Sequence, residues 1–302
     1  MDYKIGFIGA GKVGTAFGKY LTENGYKIIG YYSKNYTSAQ KAANLTDSTA
    51  YDKIEDLVFE VNTLFITTPD DVIKEVCDFL VTKKLINKSY IICHMSGGLS
   101  SDILKNAKDI GCSVYSLHPM QAFADIESSV KELKNTIFSI EGCEKKINDL
   151  ITLINELGNE IFLIDSKTKA IYHAAACVAS NYLVTLIDFA VNLLNEIGLE
   201  KNLAIKAINP LLMGTVKNIA QMDTEKALTG PIARGDLKTI KKHLHDIDLY
   251  CPHNLDFYKF LGKKTIELAK KEKLKDDIKI KQLNKLLGSE NTRKYNPYII
   301  GR

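Results

Sequence analysis

The sequence predicts an α/β domain on a doubly wound, mostly parallel sheet, followed by an all-helical domain. Three observations predict it. Short apolar runs alternate with helical patterns through the first half of the chain. A glycine-rich turn separates the first apolar run from the first helical pattern. After Ile164 the strand signals stop, and the rest of the chain has helical spacing. The chain has 302 residues, which suits two domains at about 150 residues each. The division expected is 1–165 and 166–302, with no flexible linker between them.

Taken in order, the candidate strands are Lys4–Ile8, Lys27–Tyr32, Thr63–Thr67, Tyr90–His94, Ser113–Leu117, Ile137–Ile140 and Glu160–Ile164. Helical patterns fall between most of them, at Val13–Glu23, Asp71–Val81, Ser101–Ala107 and Glu144–Leu157. Asp165 and Ser166 are good helix caps. From there to about Ile197 the chain has neither Pro nor Gly, and Gly198 is a stop signal. That predicts one helix of roughly 30 residues, or about 45 Å. Beyond it, Pro210, Gly230-Pro231, Gly235 and Pro252 punctuate the helical spacing. Asp236 is placed to cap one helix and Pro252 to open another.

Composition narrows the function classes. Hydrophobic residues make up 45% and charged residues 25%, as in ordinary globular proteins. A net charge of +4 is too mild to point to nucleic acid. The run KKEKLKDDIKIK alternates signs and reads as a solvated helix face. The six cysteines form no Cys-x-x-Cys pair and show no zinc spacing, so free thiols and no metal are expected. No signal-peptide pattern and no apolar run of membrane-spanning length are read from the sequence, so the expected location is cytoplasmic.

The glycine turn carries chemistry. Gly9, Gly11 and Gly14 form G-x-G-x-x-G after a strand and at a helix start, with Lys12 and Val13 completing the loop. The first glycine permits the turn, the second lets backbone approach a pyrophosphate, and the third lets helix and strand pack closely. The helix N-terminus offers free N–H groups to the phosphates. This is a Rossmann dinucleotide-binding pattern. An NAD enzyme usually ends its second strand with an acid that binds the ribose. Here the strand ends in Tyr32-Ser33-Lys34-Asn35, with Ser38 close behind. A hydroxyl and a cation suit a 2′-phosphate, so NADP is the cofactor expected.

Ligands in such sheets bind beyond the carboxyl ends of the strands. Those ends carry Thr67, Thr68 and Pro69, expected to line the cofactor. They also carry Ser96 with Gly97, expected to meet a substrate oxygen, and His118, for which loop-tethering and catalytic roles both stand. The long helix adds Lys169, His173, Cys177 and Ser180 on one stripe, with Asn181 at its edge. A core histidine satisfied by a carbonyl is the plainer account of His173. The segment LTGPIARGD offers Thr229, Gly230 and Arg234 to grip a carboxylate, or is simply a helix–helix turn.

These motifs together, with HMSGGLSS, SLHPMQAFAD and YHAAACVASNYLVTL, resemble one family. It is the Rossmann-like oxidoreductases with an all-helical C-terminal domain, within the 6-phosphogluconate dehydrogenase-like superfamily. Some members resemble an alternative type of ketopantoate reductase. The resemblance implies NADPH-dependent reduction of 2-dehydropantoate to pantoate. It places His173 where commoner ketopantoate reductases have a Lys, Asn181 at their later Asn, and Cys177 where their nearer Asn stands. The expectation is hydride transfer to a small 2-keto acid, with His173 as proton donor because imidazole titrates near neutrality. Ser96 and Asn181 would orient the substrate, with Arg234 in support. Rival expectations are reduction of a cyclic imine or a deazaflavin, and a non-catalytic NADP sensor. Small residues on one face of the long helix lead to a homodimer built from the second domains.

Overall fold

The structure, a computed structural model, describes residues 3–288; the expected domains' outer ends, residues 1–2 and 289–302, lie outside them. The chain divides into two compact units after Leu183. That is later than the expected division at 165, and it falls inside the long helix. The first turns of that helix carry Tyr172, whose ring packs edge-on against Phe162 and His118 of the sheet. Those turns therefore belong with the strands.

In the first unit the strands are β1 (Ile5–Ile8), β2 (Ile28–Tyr32), β3 (Thr49–Tyr51), β4 (Thr63–Ile66), β5 (Ile91–His94), β6 (Ser113–Pro119), β7 (Phe138–Gly142) and β8 (Ile161–Leu163). They form one sheet in the order β3-β2-β1-β4-β5-β6-β7-β8. Every neighbouring pair is parallel except β6 with β7. The reversal follows from the connection: Phe138 opens β7 opposite Pro119, where β6 ends, so the chain returns without crossing the sheet.

The helices of this unit are α1 (Lys12–Glu23), α2 (Tyr36–Leu45), α3 (Ile54–Glu60), α4 (Asp70–Thr82), α5 (Lys105–Asp109), α6 (Ile126–Leu133), α7 (Ile147–Glu156) and α8 (Lys169–Cys177). The doubly wound, mostly parallel architecture is as expected. Strand β3 and helices α2, α3 and α6 are additions to the elements named above; one exposed and two half-buried residues in β3 give no apolar run. Alternate residues of the central strands feed two cores. Ile5, Phe7 and Phe65 point to one face, where Phe17 and Phe138 meet them. Ile8, Leu64, Ile66 and Ile92 point to the other, against Leu57, Ile73 and Leu80.

The long helix forms as expected over Ser166–Glu196. Asp165 caps its first turn by accepting from the Lys167 amide. Gly198, at φ +92°, ends it. Between α8 and α9 (Leu183–Glu196) lies a π-helical turn, Val178–Tyr182. By length and composition this helix could cross a membrane, with mean hydropathy 1.6 over its most apolar window. That corrects the expectation of no run of such length. Its Ala, Ser, Tyr and Cys residues interrupt the aliphatic pattern, yet charges are too few to lower the average.

The second unit continues with α10 (Lys201–Ala227), α11 (Leu237–Tyr250), α12 (Leu255–Glu272) and α13 (Asp277–Gly288). Asp236 caps α11 through the Thr239 amide, and Pro252 opens the turn before α12, both as expected. Pro210 does not end a helix; it lies inside α10, which kinks instead at Asp223 (φ 69°). A proline's own φ is already helical, so a long helix can carry it at a cost of about 3 kcal/mol. Ile240, Ile266, Leu283 and Leu287 form the core of this unit.

Candidate active site

The glycine turn separates structural from ligand demands. Gly9 adopts φ +106°, and a Cβ there would lie 2.7 Å from the Thr67 carbonyl carbon. A Cβ on Gly14 would collide with the Thr67 hydroxyl and come 2.8 Å from the Gly9 carbonyl oxygen. The fold itself needs both glycines. Gly11 is different: a Cβ there would meet nothing within 4 Å, and its φ of −80° is open to any residue. The open space above Gly11 is where a pyrophosphate would pass. Gly11 is also the N-cap of α1, and no side chain caps that end and no acid occupies its first turn. Lys12 is exposed and Val13 half-buried beside it.

Thr67, expected to line the cofactor, spends its hydroxyl on the loop: it donates to the Gly9 carbonyl at 2.8 Å. Thr68 keeps a buried hydroxyl without a protein partner. Pro69 is the N-cap of α4. At the end of β2, Ser33 is half-buried and Lys34 exposed, while Ser38 lies half-buried on α2. The residues present thus fit a dinucleotide, with an open cradle, an orphaned hydroxyl and no acid at the ribose end.

Beyond β5 and β6 three histidines converge. His94 is fully buried and structural: its Nδ1 accepts from the Ser96 amide at 3.2 Å, so Nε2 carries the proton and donates to the Ser100 carbonyl at 3.2 Å. Burial holds it neutral, with its pKa pushed down to about 4. Ser96, 8% exposed, donates to Asp70 at 2.8 Å and accepts from the amides of Gly98 and Leu99. Its hydroxyl holds the loop rather than standing free for a substrate. Glu141 on β7 fastens the next turn through the amide and hydroxyl of Ser101.

His118 and His173 come together over that loop. A Cβ on Gly97 would lie 2.7 Å from His118 Nε2 and 2.6 Å from His173 Nδ1. The ring centroids are 6.4 Å apart and the rings nearly perpendicular. Gly97 is therefore the floor between two imidazoles, which is a reason for glycine there that spacing alone does not reveal. His118 Nδ1 is bonded to the Tyr172 hydroxyl at 2.7 Å. His173 Nε2 lies 3.5 Å from the Cys177 sulfur, and its Nδ1 is buried without a partner. His118 is held neutral. Burial first, then the charge of Lys169, pushes its pKa down to about 3.

Sequence spacing puts Lys169 on the polar stripe without a role of its own and leaves Tyr172 unmarked. Lys169 is 1% exposed, its amine has no hydrogen-bond partner, and burial lowers its pKa to about 8 while Glu141 raises it. The amine lies 5.2 Å from the centroid of the Tyr172 ring. Tyr172 sits off the polar stripe, so no periodicity marks it. Further along, Ser180 and Asn181 lie exposed on the π-helical turn. In the second unit, Thr229, Gly230 and Arg234 share the turn before α11; Thr229 and Arg234 are exposed, and Gly230 has φ +95°.

Comparison with known proteins agrees with this organisation. Residues 1–119 match the Rossmann-like domain, and residues 136–265 match a domain of unknown function, DUF2520. Protein TM1727 from Thermotoga maritima is 26% identical, with a TM-score of 0.72 over 89% of this chain and 100% of that one. Pyrroline carboxylate reductase from Plasmodium falciparum, solved with NADP bound, is 16% identical at a TM-score of 0.58, covering 95% and 98% of the two chains. A reductive aminase from Aspergillus terreus, solved with NADPH and ethyl-5-oxohexanoate, is 12% identical at 0.60, covering 95% and 92%. No curated protein sequence matches. The chain is similar to a Rossmann-like domain followed by DUF2520, and it shares its fold with the NADP-bound pyrroline carboxylate reductase and the NADPH-bound reductive aminase.

Proposed function

We propose that this protein is an NADPH-dependent reductase of a small 2-keto acid, with 2-dehydropantoate as the first substrate to test. The observation that carries the proposal is the pair of imidazoles flanking Gly97, on the unit that holds a dinucleotide cradle. The cradle of Gly9, Gly11, Lys12, Val13 and Gly14 takes the pyrophosphate at the N-terminus of α1. Ser33, Lys34 and Ser38 take the 2′-phosphate. Thr68 and Pro69 line the path between. When bound, NADPH supplies the hydride.

The sequence alone puts the proton on His173. The geometry supports His118 better. Tyr172 holds His118 Nδ1, which leaves Nε2, on the Gly97 side, as the atom that meets the substrate oxygen. His173 then seats the substrate from the other side of Gly97. Asn181 is a further carboxylate contact, and Arg234 with Thr229 and Gly230 is a candidate on its chemistry alone. Ser96 acts through the loop it fastens.

The test is NADPH oxidation by purified protein against a panel: 2-dehydropantoate, other 2-keto acids, cyclic imines including a pyrroline carboxylate, and a deazaflavin. Release of pantoate supports the specific reading. Turnover of an imine alone moves the substrate class toward that of the pyrroline carboxylate reductase. Binding of NADP without any turnover favours a sensor.

A homodimer, in a cytoplasmic location, belongs to the same proposal. On α10 only Ala204 is buried, while Leu203, Leu211 and Met213 are 58%, 73% and 58% exposed. Such an apolar face calls for a cover. A second copy suits it better than a bilayer, because a bilayer would also strip water from His173 and Asn181 on the apolar helix before it. Sedimentation of wild type and Leu211→Arg reads this out: a dimer that the substitution splits supports it, a monomeric wild type overturns it.

A further inference from the structure

We propose that Tyr172 supplies the proton that His118 hands to the substrate, with Lys169 as the cation that stabilises the phenolate left behind. The inference rests on the reading of His118 as proton donor. Three observations converge on it. The Tyr172 hydroxyl lies 2.7 Å from His118 Nδ1, behind the ring as seen from Gly97. The Lys169 amine is 5.2 Å from the Tyr172 ring centroid and has no hydrogen-bond partner among the described residues. A buried ammonium without a hydrogen bond is costly, so its retention calls for a compensating role.

The charge balance explains why a relay is needed. The groups facing His118 are Tyr172, Lys169 and His173 on α8 and His94 on β5, with Glu141 on β7 facing Lys169. None of those facing His118 is a carboxylate, and His118 is held neutral. A neutral imidazole releases its Nε2 proton readily only if another proton reaches Nδ1 in the same step. A phenol donating to Nδ1 fixes the proton on Nε2 beforehand and provides that second proton.

Atoms and charges balance through the step. As hydride reaches the carbonyl carbon, the carbonyl π pair moves to oxygen. That oxygen takes the Nε2 proton of His118, Nδ1 takes the phenol proton of Tyr172, and the phenolate keeps the Lys169 ammonium over its ring. On product release Nδ1 returns its proton to the phenolate, and Nε2 takes one from water. Each turnover consumes one hydride and one solvent proton. Neither Tyr172 nor Lys169 touches substrate; both act through His118.

The experiment pairs a spectroscopic readout with kinetics, on the full chain with 15N-labelled histidine. In wild type, long-range NMR should show the His118 ring as the Nε2–H tautomer and uncharged from about pH 5 to pH 8. Tyr172→Phe should leave a mixture of tautomers, at unchanged NADPH affinity, and lower kcat by about tenfold to a hundredfold, a fraction of what general acid catalysis contributes. Lys169→Met, which keeps the volume, should lower kcat similarly, and Lys169→Arg should restore part of it. An Nδ1–H tautomer in wild type, or a tautomer and kcat unmoved by Tyr172→Phe, overturns the proposal. Should the tautomer behave as expected while no carbonyl or imine is reduced, the reductase reading fails and the Tyr172–His118 pair stands.

Discussion

Acid should destabilise this protein through its buried histidines, and the share of His94 follows from its surroundings. His94 has both ring nitrogens engaged within the β5 loop and titrates near pH 4 when folded, against 6.5 as the ordinary value. Its folded pKa is depressed, so the unfolded chain binds a proton that the native state refuses. Stability is therefore unaffected above about pH 7, falls as pH drops through 6.5, and levels off below about pH 4. At 1.36 kcal/mol per pH unit, the loss by pH 4 is about 3 kcal/mol. That is a sizeable share of an ordinary domain's stability. The perturbation is His94→Gln, which keeps a donor toward the Ser100 carbonyl but no longer titrates. It should cost about 1 kcal/mol at neutral pH, for the lost bond from the Ser96 amide. Urea unfolding at pH 7 and pH 4 gives the comparison, since the effects of the carboxylates and of His118 are common to both proteins. The variant should lose about 3 kcal/mol less than wild type over that interval. Parallel losses in the two proteins would refute the assignment of His94 as a neutral strut.

Four further outcomes are expected. Gly11→Val should leave the melting temperature nearly unchanged and abolish NADPH binding, whereas Gly14→Ala should lower stability by about 1–3 kcal/mol with or without cofactor, through contact with Thr67; calorimetry and cofactor titration separate them. Ser33→Asp should shift preference from NADPH toward NADH in affinity measurements, because an acid there repels the 2′-phosphate. Gly97→Ala should displace one or both imidazoles and lower turnover while NADPH affinity holds, as kinetics and fluorescence titration would show. His118→Ala should lower kcat by about a hundredfold or more, and His173→Ala should chiefly raise KM; the reverse pattern returns the proton to His173.

Much of the fold is legible in the sequence because its causes are local. The apolar runs of β1, β4 and β5, the cap at Asp165 and the stop at Gly198 each act within a few residues. Strand β3 is not legible, because its edge position asks little of its side chains. The same contrast holds at the site. Glycine spacing names the cradle, yet it cannot tell that Thr67 makes Gly9 and Gly14 structural while Gly11 answers only to a ligand. Ser96 looks like a substrate contact until Asp70 and two amides claim its hydroxyl. Tyr172 escapes notice because its partner, His118, lies on another element and shares no periodicity with it.

The π-helical turn at Val178–Tyr182 lets the long helix carry a spare residue. A π turn holds one residue more than an α turn, so it behaves as a single-residue insertion absorbed without breaking the rod. In a regular α-helix one extra residue would swing every later side chain by about 100°. The wider turn takes up that rotation locally, so deleting one residue there would restore a plain α turn and leave the later side chains close to their present aim. Lys169, Tyr172 and His173 precede the insertion and would keep their aim. Asn181, inside it, would not, whereas α9 would keep its face. One codon thus separates a bulged from a plain form of the same helix, and a lineage could re-aim the turn that carries Asn181 while leaving the histidine pair and α9 untouched.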